Sequence, residues 1–179
     1  MCDKENNDKN MTYALKQAQE AFNCGEVPIG AIVVAADGTV IGRGYNKVET
    51  TKCQSEHAEL IAIRDACNKI GDWRLSDCSM YVTLEPCLMC FGLIGLSRIK
   101  TVYFGAKSPL FGAQSGLKDN GAIYSKGLTV HGGLKESECI AILRLFFGQA
   151  RYERGGCETK ACIPRNCQET APEEKRGDN

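Results

Sequence analysis

Residues 83–90 read Thr-Leu-Glu-Pro-Cys-Leu-Met-Cys, and residues 57–59, further upstream, read His-Ala-Glu. Pro86 fixes its own φ and needs no amide hydrogen, which is typical of the first turn of a helix. Cys87 and Cys90 therefore lie one turn apart at the start of that helix, with both thiols on one side. The unpaired amides of a helix N-terminus carry partial positive charge and favour thiolates. The stretch predicts a helix that begins with two metal-binding sulfur atoms.

A third metal ligand is available in His57. One imidazole nitrogen and two sulfur atoms suit tetrahedral zinc, and three protein ligands leave a fourth position for water, as in catalytic zinc sites. Glu59 is the candidate that moves the protons of this water. Residues two apart in a regular helix face roughly opposite ways, so the spacing alone does not bring both His57 and Glu59 to the metal.

This order of His-x-Glu followed by Pro-Cys-x-x-Cys is the signature of the zinc-dependent cytidine/deoxycytidylate deaminase superfamily. Over residues 11–151 the chain resembles one family of this superfamily, the bacterial tRNA-specific adenosine deaminases. The segments that carry the resemblance are VPIGA at 27–31, GYN at 44–46, HAEL at 57–60, YVTLEPCLMC at 81–90, SRI at 97–99 and VYFGA at 102–106.

The resemblance implies a zinc-dependent hydrolase that converts adenosine to inosine at the wobble position of a tRNA anticodon. It implies one Zn²⁺ per subunit, with Glu59 as the catalytic acid and base. The implied zinc ligands are His57, Cys87 and Cys90. The implied contacts with the substrate base come from Asn46, the amide of Ala58, and Phe147. The implied binding partner is the anticodon stem-loop of a tRNA.

Members of this family act as homodimers that meet near the zinc motif, so the resemblance also implies a homodimer. An apolar face for this contact is available on the helix after Pro86. Its residues are Leu88, Phe91, Leu93, Ile94 and Leu96. The same side chains would serve equally well in an ordinary hydrophobic core.

Two segments depart from the family pattern. Residues 108–116 read SPLFGAQSG, where the family usually has Asp-x-Lys-x-Gly-Ala-x-Gly-Ser, and residues 124–127 read YSKG in place of Asn-His and a basic residue. These departures leave open a deaminase of a free nucleobase or nucleoside, such as guanine, cytosine or adenine. A third alternative is a non-catalytic, zinc-stabilised RNA-binding module. Glu59 argues against that alternative, because a structural zinc site needs no acid beside an open position.

The composition of the 179 residues predicts a soluble, cytoplasmic protein with no membrane partner. Basic and acidic residues balance at 22 each, but residues 92–135 hold six basic residues and one acid. This segment would attract phosphate groups, or it is an ordinary solvated surface. The first ten residues do not resemble a signal peptide, and eleven is an odd number of cysteines. We therefore expect reduced thiols, with Cys24 among those buried as small apolar side chains.

The pattern of apolar residues predicts an α/β domain over residues 11–151, with a flexible tail over 1–10 and a disordered tail over 152–179. The predicted helices span 12–23, 55–70, 87–96 and 136–147, and the predicted strands span 29–36, 39–44, 78–84, 99–104 and 128–130. A polar loop is expected over 45–55. A hairpin at Asp37-Gly38 followed by alternating helices and strands indicates a mixed sheet covered on both faces. The resemblance implies the same three-layer α/β/α architecture, with a mixed five-stranded sheet as in cytidine deaminases.

Two further side chains, Trp73 and His131, are considered for a role in binding. Trp73 is the single tryptophan, and it either stacks on a nucleotide or packs in the core, with the core favoured. His131 precedes two glycines and is expected at the surface.

Overall fold

The structure is a computed structural model that describes residues 2–113 and 127–154, with side chains described for 4–113 and 127–149. The helices of this part of the chain are α1 (Cys2–Asn23), α2 (Val48–Thr51), α3 (Ala58–Ile70), α4 (Leu88–Leu96) and α5 (Glu136–Arg154). Its strands are β1 (Gly30–Val34), β2 (Val40–Tyr45), β3 (Ser79–Leu84), β4 (Thr101–Ala106) and β5 (Thr129–His131).

The five strands form one sheet in the order β2-β1-β3-β4-β5. β1 pairs antiparallel with β2 and with β3, whereas β3, β4 and β5 run parallel to one another. Gly38 has a φ of +86° in the turn between β1 and β2, a conformation that glycine adopts without strain. The prediction of a mixed five-stranded sheet that begins with a hairpin at Asp37-Gly38 is confirmed.

Helices cover both faces of the sheet. Ala31 and Val33 of β1 belong to a core cluster with α3 and α4, and Ile32 and Val34 belong to a second cluster with α1 and α5. Successive side chains of a strand point to opposite faces, so an all-apolar strand such as β1 must be covered twice. The predicted three-layer α/β/α arrangement is confirmed.

Two glycines of β2 bring α3 very close to the sheet. A Cβ atom at Gly42 would collide with the carbonyl oxygen of Ala62, and one at Gly44 would collide with that of Ala58. A side chain at either position would push α3 outwards. The glycines of β2 therefore set the position of the first turns of α3, where the candidate site lies.

The first helix begins earlier than the sequence pattern predicts. Residues 2–10, expected as a flexible tail, form the first turns of α1. The hydroxyl of Tyr81 in β3 donates a hydrogen bond of 2.6 Å to Oδ1 of Asn7, which connects this extension to the sheet. Thr12, expected to cap the helix, lies within it and donates to the carbonyl oxygen of Asp8 at 2.8 Å. Threonine forms such bonds inside helices as well as at their ends, so the residue type alone does not mark the start.

Other differences are smaller. The expected loop 45–55 contains the short helix α2, and α5 continues to Arg154 rather than ending near residue 147. Most of the expected disordered tail, residues 155–179, lies outside the described residues. The expectation of a reduced Cys24 is wrong, because that residue is disulfide-bonded. Within the described parts of the chain, no helix has the length and apolar character needed to cross a membrane.

Candidate metal centre and active site

His57 lies just before the first turn of α3 rather than inside it. Its backbone is extended, with φ −71° and ψ 151°, and the helix starts at Ala58. The preceding residue, Glu56, accepts two hydrogen bonds from the guanidinium of Arg64, at 2.9 and 3.0 Å. Its carbonyl oxygen accepts a third, from the amide of Lys47 at 3.0 Å. The segment that carries His57 is thus fixed to α3 on one side and to the end of β2 on the other.

Cys87 occupies the equivalent position before α4. Its backbone is also extended, with φ −71° and ψ 170°, and Cys90 lies one turn further along, with its side chain buried. The helix predicted to begin at Cys87 begins one residue later, at Leu88. Both candidate metal-binding segments are therefore helix N-termini, where backbone amides leave a partial positive charge.

The three predicted ligands meet at one point. His57, Cys87 and Cys90 form a group in which the ligand atoms all lie within 4.8 Å of one another. Nδ1 of His57 lies 3.8 Å from Sγ of Cys87 and 3.3 Å from Sγ of Cys90, and the two sulfur atoms are 3.6 Å apart.

These separations fit a zinc ion. Zn–S bonds of about 2.3 Å and Zn–N bonds of about 2.05 Å at tetrahedral angles would place the sulfur atoms about 3.8 Å apart, with sulfur and nitrogen about 3.6 Å apart. The observed triangle differs from these values by no more than about 0.3 Å. One imidazole and two thiols are also the donor set that zinc prefers. The side chains need little movement to accept the metal.

The pKa values of the three ligands are shifted in opposite directions, towards the metal-binding form at Cys87 and away from it at Cys90 and His57. A hydrogen bond with Cys90, together with the neighbouring His57 ring, lowers the pKa of Cys87 to about 4. The same contact with Cys87 and burial raise the pKa of Cys90, and hydrogen bonding to Cys87 raises the pKa of His57. Cys87 is thus the ligand closest to the thiolate form that a metal requires. Metal binding would also remove the proton of the Cys90 thiol.

Glu59 lies beside this triangle. Its side chain is buried in the first turn of α3, and its carboxyl group hydrogen-bonds with the thiol of Cys90. Because His57 has an extended backbone, the two residues do not follow the helical rotation that would place them on opposite sides. Burial raises the pKa of Glu59. A carboxyl group with a raised pKa can donate a proton as well as accept one.

The structure places Asn46 and Ala58 close to the segment that carries His57. Asn46 is 5% exposed, directly follows β2, and its amide donates to the carbonyl oxygen of Ile29 at 3.0 Å. Ala58 is buried as the first residue of α3, and its amide is one of the four at a helix start with no partner inside the helix. Both residues therefore offer hydrogen-bonding groups near the metal-binding segment.

Phe147, the third predicted substrate contact, belongs to a different group of side chains. It is 45% exposed on α5 and packs edge-on against Phe146 with the ring centres 5.4 Å apart. Phe146 in turn packs edge-on against Phe22 of α1 at 6.0 Å. Among the described contacts, none joins Phe147 to the metal-binding residues. Its role in substrate binding stays a prediction.

A buried carboxylate that sequence reasoning did not single out holds the loop after β4 against the start of α4. Oε2 of Glu85 accepts a hydrogen bond from the amide of Ser108 at 3.1 Å, and the amide of Ala113 donates to the carbonyl oxygen of Pro86 at 2.9 Å. Beside Cys87 this loop forms a cleft of about 590 Å³. Its lining includes Leu110 and Phe111, which are 87% and 74% exposed. Residues 114–116 and 124–126, the remainder of the two divergent segments, lie outside the described residues.

Three basic residues of segment 92–135 contact other side chains in the part that the structure describes. Lys100 pairs with Asp77, and Lys135 with Glu138 at 3.5 Å. The guanidinium of Arg98 lies 5.3 Å from the ring centre of Trp73.

Trp73 itself lies at the surface. It is 49% exposed, so the favoured interpretation of this side chain as a core residue is wrong. His131 is exposed, as expected, and stacks on Tyr103 with ring centres 5.0 Å apart.

Comparison with known proteins agrees with the geometry of the site. The family described as "Cytidine and deoxycytidylate deaminase zinc-binding region" matches residues 4–106. The tRNA-specific adenosine deaminase of Streptococcus pyogenes serotype M18 is 40% identical over 146 residues, which cover 80% of this chain and 91% of that protein. The protein of the same description from Bacillus subtilis is also 40% identical, over 80% of this chain and 90% of that protein.

Solved structures give the same result. A structure described as a study of A-to-I editing by tRNA:A34 deaminases at the wobble position superposes with a TM-score of 0.67. It is 39% identical and covers 75% of this chain and 99% of that one. A guanine deaminase from Nitrosomonas europaea has a TM-score of 0.71 at 27% identity, covering 79% of this chain and 84% of the other. The matched family and the extent of these identities show that the chain belongs to the zinc-dependent cytidine and deoxycytidylate deaminases, within their family of tRNA-specific adenosine deaminases.

Proposed function

We propose that this protein hydrolyses adenosine to inosine at the wobble position of a tRNA anticodon, with release of ammonia. The observation that carries the chemistry is the triangle of His57, Cys87 and Cys90 with Glu59 beside it. The observation that supports the substrate is 40% identity over nine-tenths of proteins described as tRNA-specific adenosine deaminases. Because the proposed substrate is a tRNA, we also propose that the protein acts in the cytoplasm.

A zinc ion held by His57, Cys87 and Cys90 would supply Lewis-acid chemistry, which lowers the pKa of a bound water towards neutrality. The proton transfers fall to Glu59. Its carboxylate accepts a proton from the attacking water and delivers it to the ring nitrogen beside the carbon under attack. It then takes the proton of the hydroxyl group that has added to the carbon and passes it to the amino group. The carbon–nitrogen bond breaks, ammonia leaves and the carbonyl group of inosine forms. One carboxyl group suffices because each proton that it accepts is the one that it next donates.

The groups around Glu59 suit the positioning of a base. Asn46 and the first amide of α3, at Ala58, supply neutral hydrogen-bonding groups next to a buried carboxyl group. We propose that they orient the adenine ring and that Phe147, at the surface of α5, contacts the nucleotide from outside. Neutral groups fix a ring without the cost of burying further charge.

We also propose that the protein acts as a homodimer through the exposed side of α4. The predicted apolar face divides in the structure, because Phe91 and Ile94 are buried in the core whereas Leu88 and Leu96 are 60% and 61% exposed. Two large exposed apolar residues on one short helix favour a protein contact there. Light scattering on the purified protein tests this, with Leu88→Asp and Leu96→Asp expected to shift a dimer towards monomer.

A second candidate function is deamination of free guanine. The guanine deaminase structure superposes slightly better than the tRNA deaminase structure, with a TM-score of 0.71 against 0.67. Its identity to this chain is lower, however, at 27% against 39%. Substrate choice depends on the residues of the site, and sequence identity reports on these residues more directly than backbone superposition does. The tRNA substrate is therefore favoured.

The deciding experiment offers the zinc-loaded protein an anticodon stem-loop with adenosine at the wobble position. Free adenine, adenosine, guanine and cytosine are assayed beside it. We expect inosine at the wobble position and no turnover of the free compounds. Turnover of guanine with an unchanged stem-loop would establish the second candidate, and turnover of neither would contradict both.

A further inference from the structure

Glu26 is a buried carboxylate that the mechanism above does not use, and it hydrogen-bonds with the side chain of Asn46. It follows α1 and has no exposed surface. Its oxygens accept three hydrogen bonds: from Nδ2 of Asn46 at 3.1 Å, from the amide of Glu49 at 3.1 Å and from the amide of Thr50 at 2.6 Å. All three donors belong to the segment that leads from β2 into α2. Glu26 is therefore the buried group that binds this segment to the end of α1.

The contact with Glu26 determines which way the Asn46 side chain faces. A carboxylate can only accept hydrogen bonds, so the NH₂ group of Asn46 must point towards it and Oδ1 must point away. Oδ1 accepts no hydrogen bond from the described residues, and these residues contain no buried side-chain N or O atom without a partner. Oδ1 is therefore the acceptor that the Asn46 side chain can offer to a bound base. A carboxylate holds the amide more firmly than a neutral acceptor would, because the bond is charge-assisted.

Asn46 is also fixed relative to the metal-binding segment. Gly44, two residues earlier, packs directly on the backbone of Ala58. The next residue, Lys47, donates its amide to the carbonyl oxygen of Glu56, which immediately precedes His57. The backbone of Asn46 is thus held close to the start of α3, and only its side chain could still rotate. Glu26 removes that remaining freedom.

We propose that Glu26 is a positioning residue for the deamination reaction, acting by holding the Asn46 carboxamide in a single orientation towards the base. The proposal rests on the substrate-binding role proposed above for Asn46. Without Glu26, the carboxamide could turn over and exchange its donor for its acceptor. A misoriented contact can cost up to about 100-fold in rate even when the metal and the acid are intact.

The test is a double-mutant cycle. Glu26→Gln and Glu26→Ala are each prepared alone and together with Asn46→Ala, and kcat and KM are measured on the stem-loop. Gln keeps the side-chain volume but cannot accept from all three donors, whichever way its amide is turned. Glu20→Gln serves as a control, because Glu20 is an exposed acid on the same helix, α1.

We expect kcat/KM to fall roughly 10- to 100-fold in the Glu26 variants, with one zinc retained per chain. In the Asn46→Ala background the same changes should cost no more than about twofold, because Glu26 acts through Asn46. Equal losses in both backgrounds, or loss of zinc from both Glu26 variants, would overturn the proposal in favour of a purely structural role. Full activity in both variants would overturn it as well.

A second measurement does not depend on RNA activity. In ¹⁵N NMR spectra of the zinc-loaded protein, the side-chain NH₂ of Asn46 should exchange slowly with solvent and lose this protection in Glu26→Ala. Rapid exchange in the unmodified protein would contradict the proposal. If the unmodified protein leaves the stem-loop unedited, the proposed function fails, while the NMR result still decides the contact between Glu26 and Asn46.

Discussion

The N-termini of α3 and α4 each present a metal-binding residue on an extended backbone, yet they are held in place in different ways. The start of α3 lies against the glycine-bearing strand β2, deep in the hydrophobic core. The start of α4 is held by the surface loop after β4, through Glu85 and the backbone of Pro86. The difference indicates that the half of the site with His57 and Glu59 depends on core packing. The half with the cysteines depends on loop hydrogen bonds.

The largest effect is expected from the removal of one metal ligand from either helix. His57→Ala and Cys87→Ala should both lose zinc, and with it at least about 1,000-fold of the activity, because the bound metal generates the nucleophile. Metal analysis and single-turnover assays measure the two quantities. Cys53→Ala is the control, since Cys53 is an exposed, free thiol and should retain both. Full activity in a ligand variant without zinc would show that the two helices do not act through a shared metal.

The second-largest effect is expected at Glu59. It concerns α3 and not α4, because the candidate catalytic acid belongs to α3. Glu59→Gln should keep one zinc per chain and lose about 100- to 10,000-fold in kcat, the range typical of general acid–base catalysis. Glu20→Gln, which changes an exposed acid on α1 away from the site, should retain most of the activity. Near-normal turnover by Glu59→Gln would exclude this residue as the proton carrier.

A glycine substitution tests the dependence of α3 on core packing. In Gly44→Ala the added methyl group would collide with the backbone of α3, so we expect destabilisation by about 1–3 kcal/mol and lower zinc affinity. Gly92→Ala in α4 is the matched control, because a Cβ there meets nothing within 4 Å. Alanine is the better helix former, by about 1 kcal/mol, so this control should be neutral or more stable. Urea unfolding curves measure both, and equal stability of the two variants would contradict the close packing of α3 on β2.

The smallest effect is expected at the loop that holds α4. In Gly112→Ala the new methyl group would meet the carboxylate end of Glu85, which is able to shift aside. The cost is the hydrogen bond to Ser108, about 1 kcal/mol. We expect a modest loss of zinc affinity with nearly unchanged stability, measured by chelator competition. A stability loss as large as that of Gly44→Ala would remove the distinction between the two helix starts.

Much of the fold follows from local patterns. The sequence predicts the hairpin because Asp37-Gly38 permits a tight turn. It predicts the sheet because apolar strand-like runs alternate with segments whose apolar residues have helical spacing. It does not predict the start of α1, because the contact between Asn7 and Tyr81 joins residues 74 positions apart. The short helix α2 was missed for a related reason. Two of its amides are satisfied by Glu26, far away in sequence.

In the site, too, local patterns predict some features, whereas others depend on contacts between residues far apart in sequence. The zinc ligands were identified from residue types and spacing, whereas the approach of Glu59 to the metal could not be derived from helical periodicity. It depends on His57 standing outside the helix, with an extended backbone. Glu26 and Glu85 gave no local signal, because a lone glutamate is usually solvated and only the fold shows these two to be buried. The role of a side chain that positions another through a long-range contact cannot be predicted from local sequence patterns.

X-ray absorption at the zinc edge of the purified protein is the most direct test of a catalytic zinc held by both helix starts. We expect one zinc per chain with two sulfur ligands near 2.3 Å, one imidazole nitrogen and one further light atom near 2.0 Å. A closed shell of four protein ligands, or an absence of bound zinc after growth with the metal, would contradict a catalytic centre built from His57, Cys87 and Cys90.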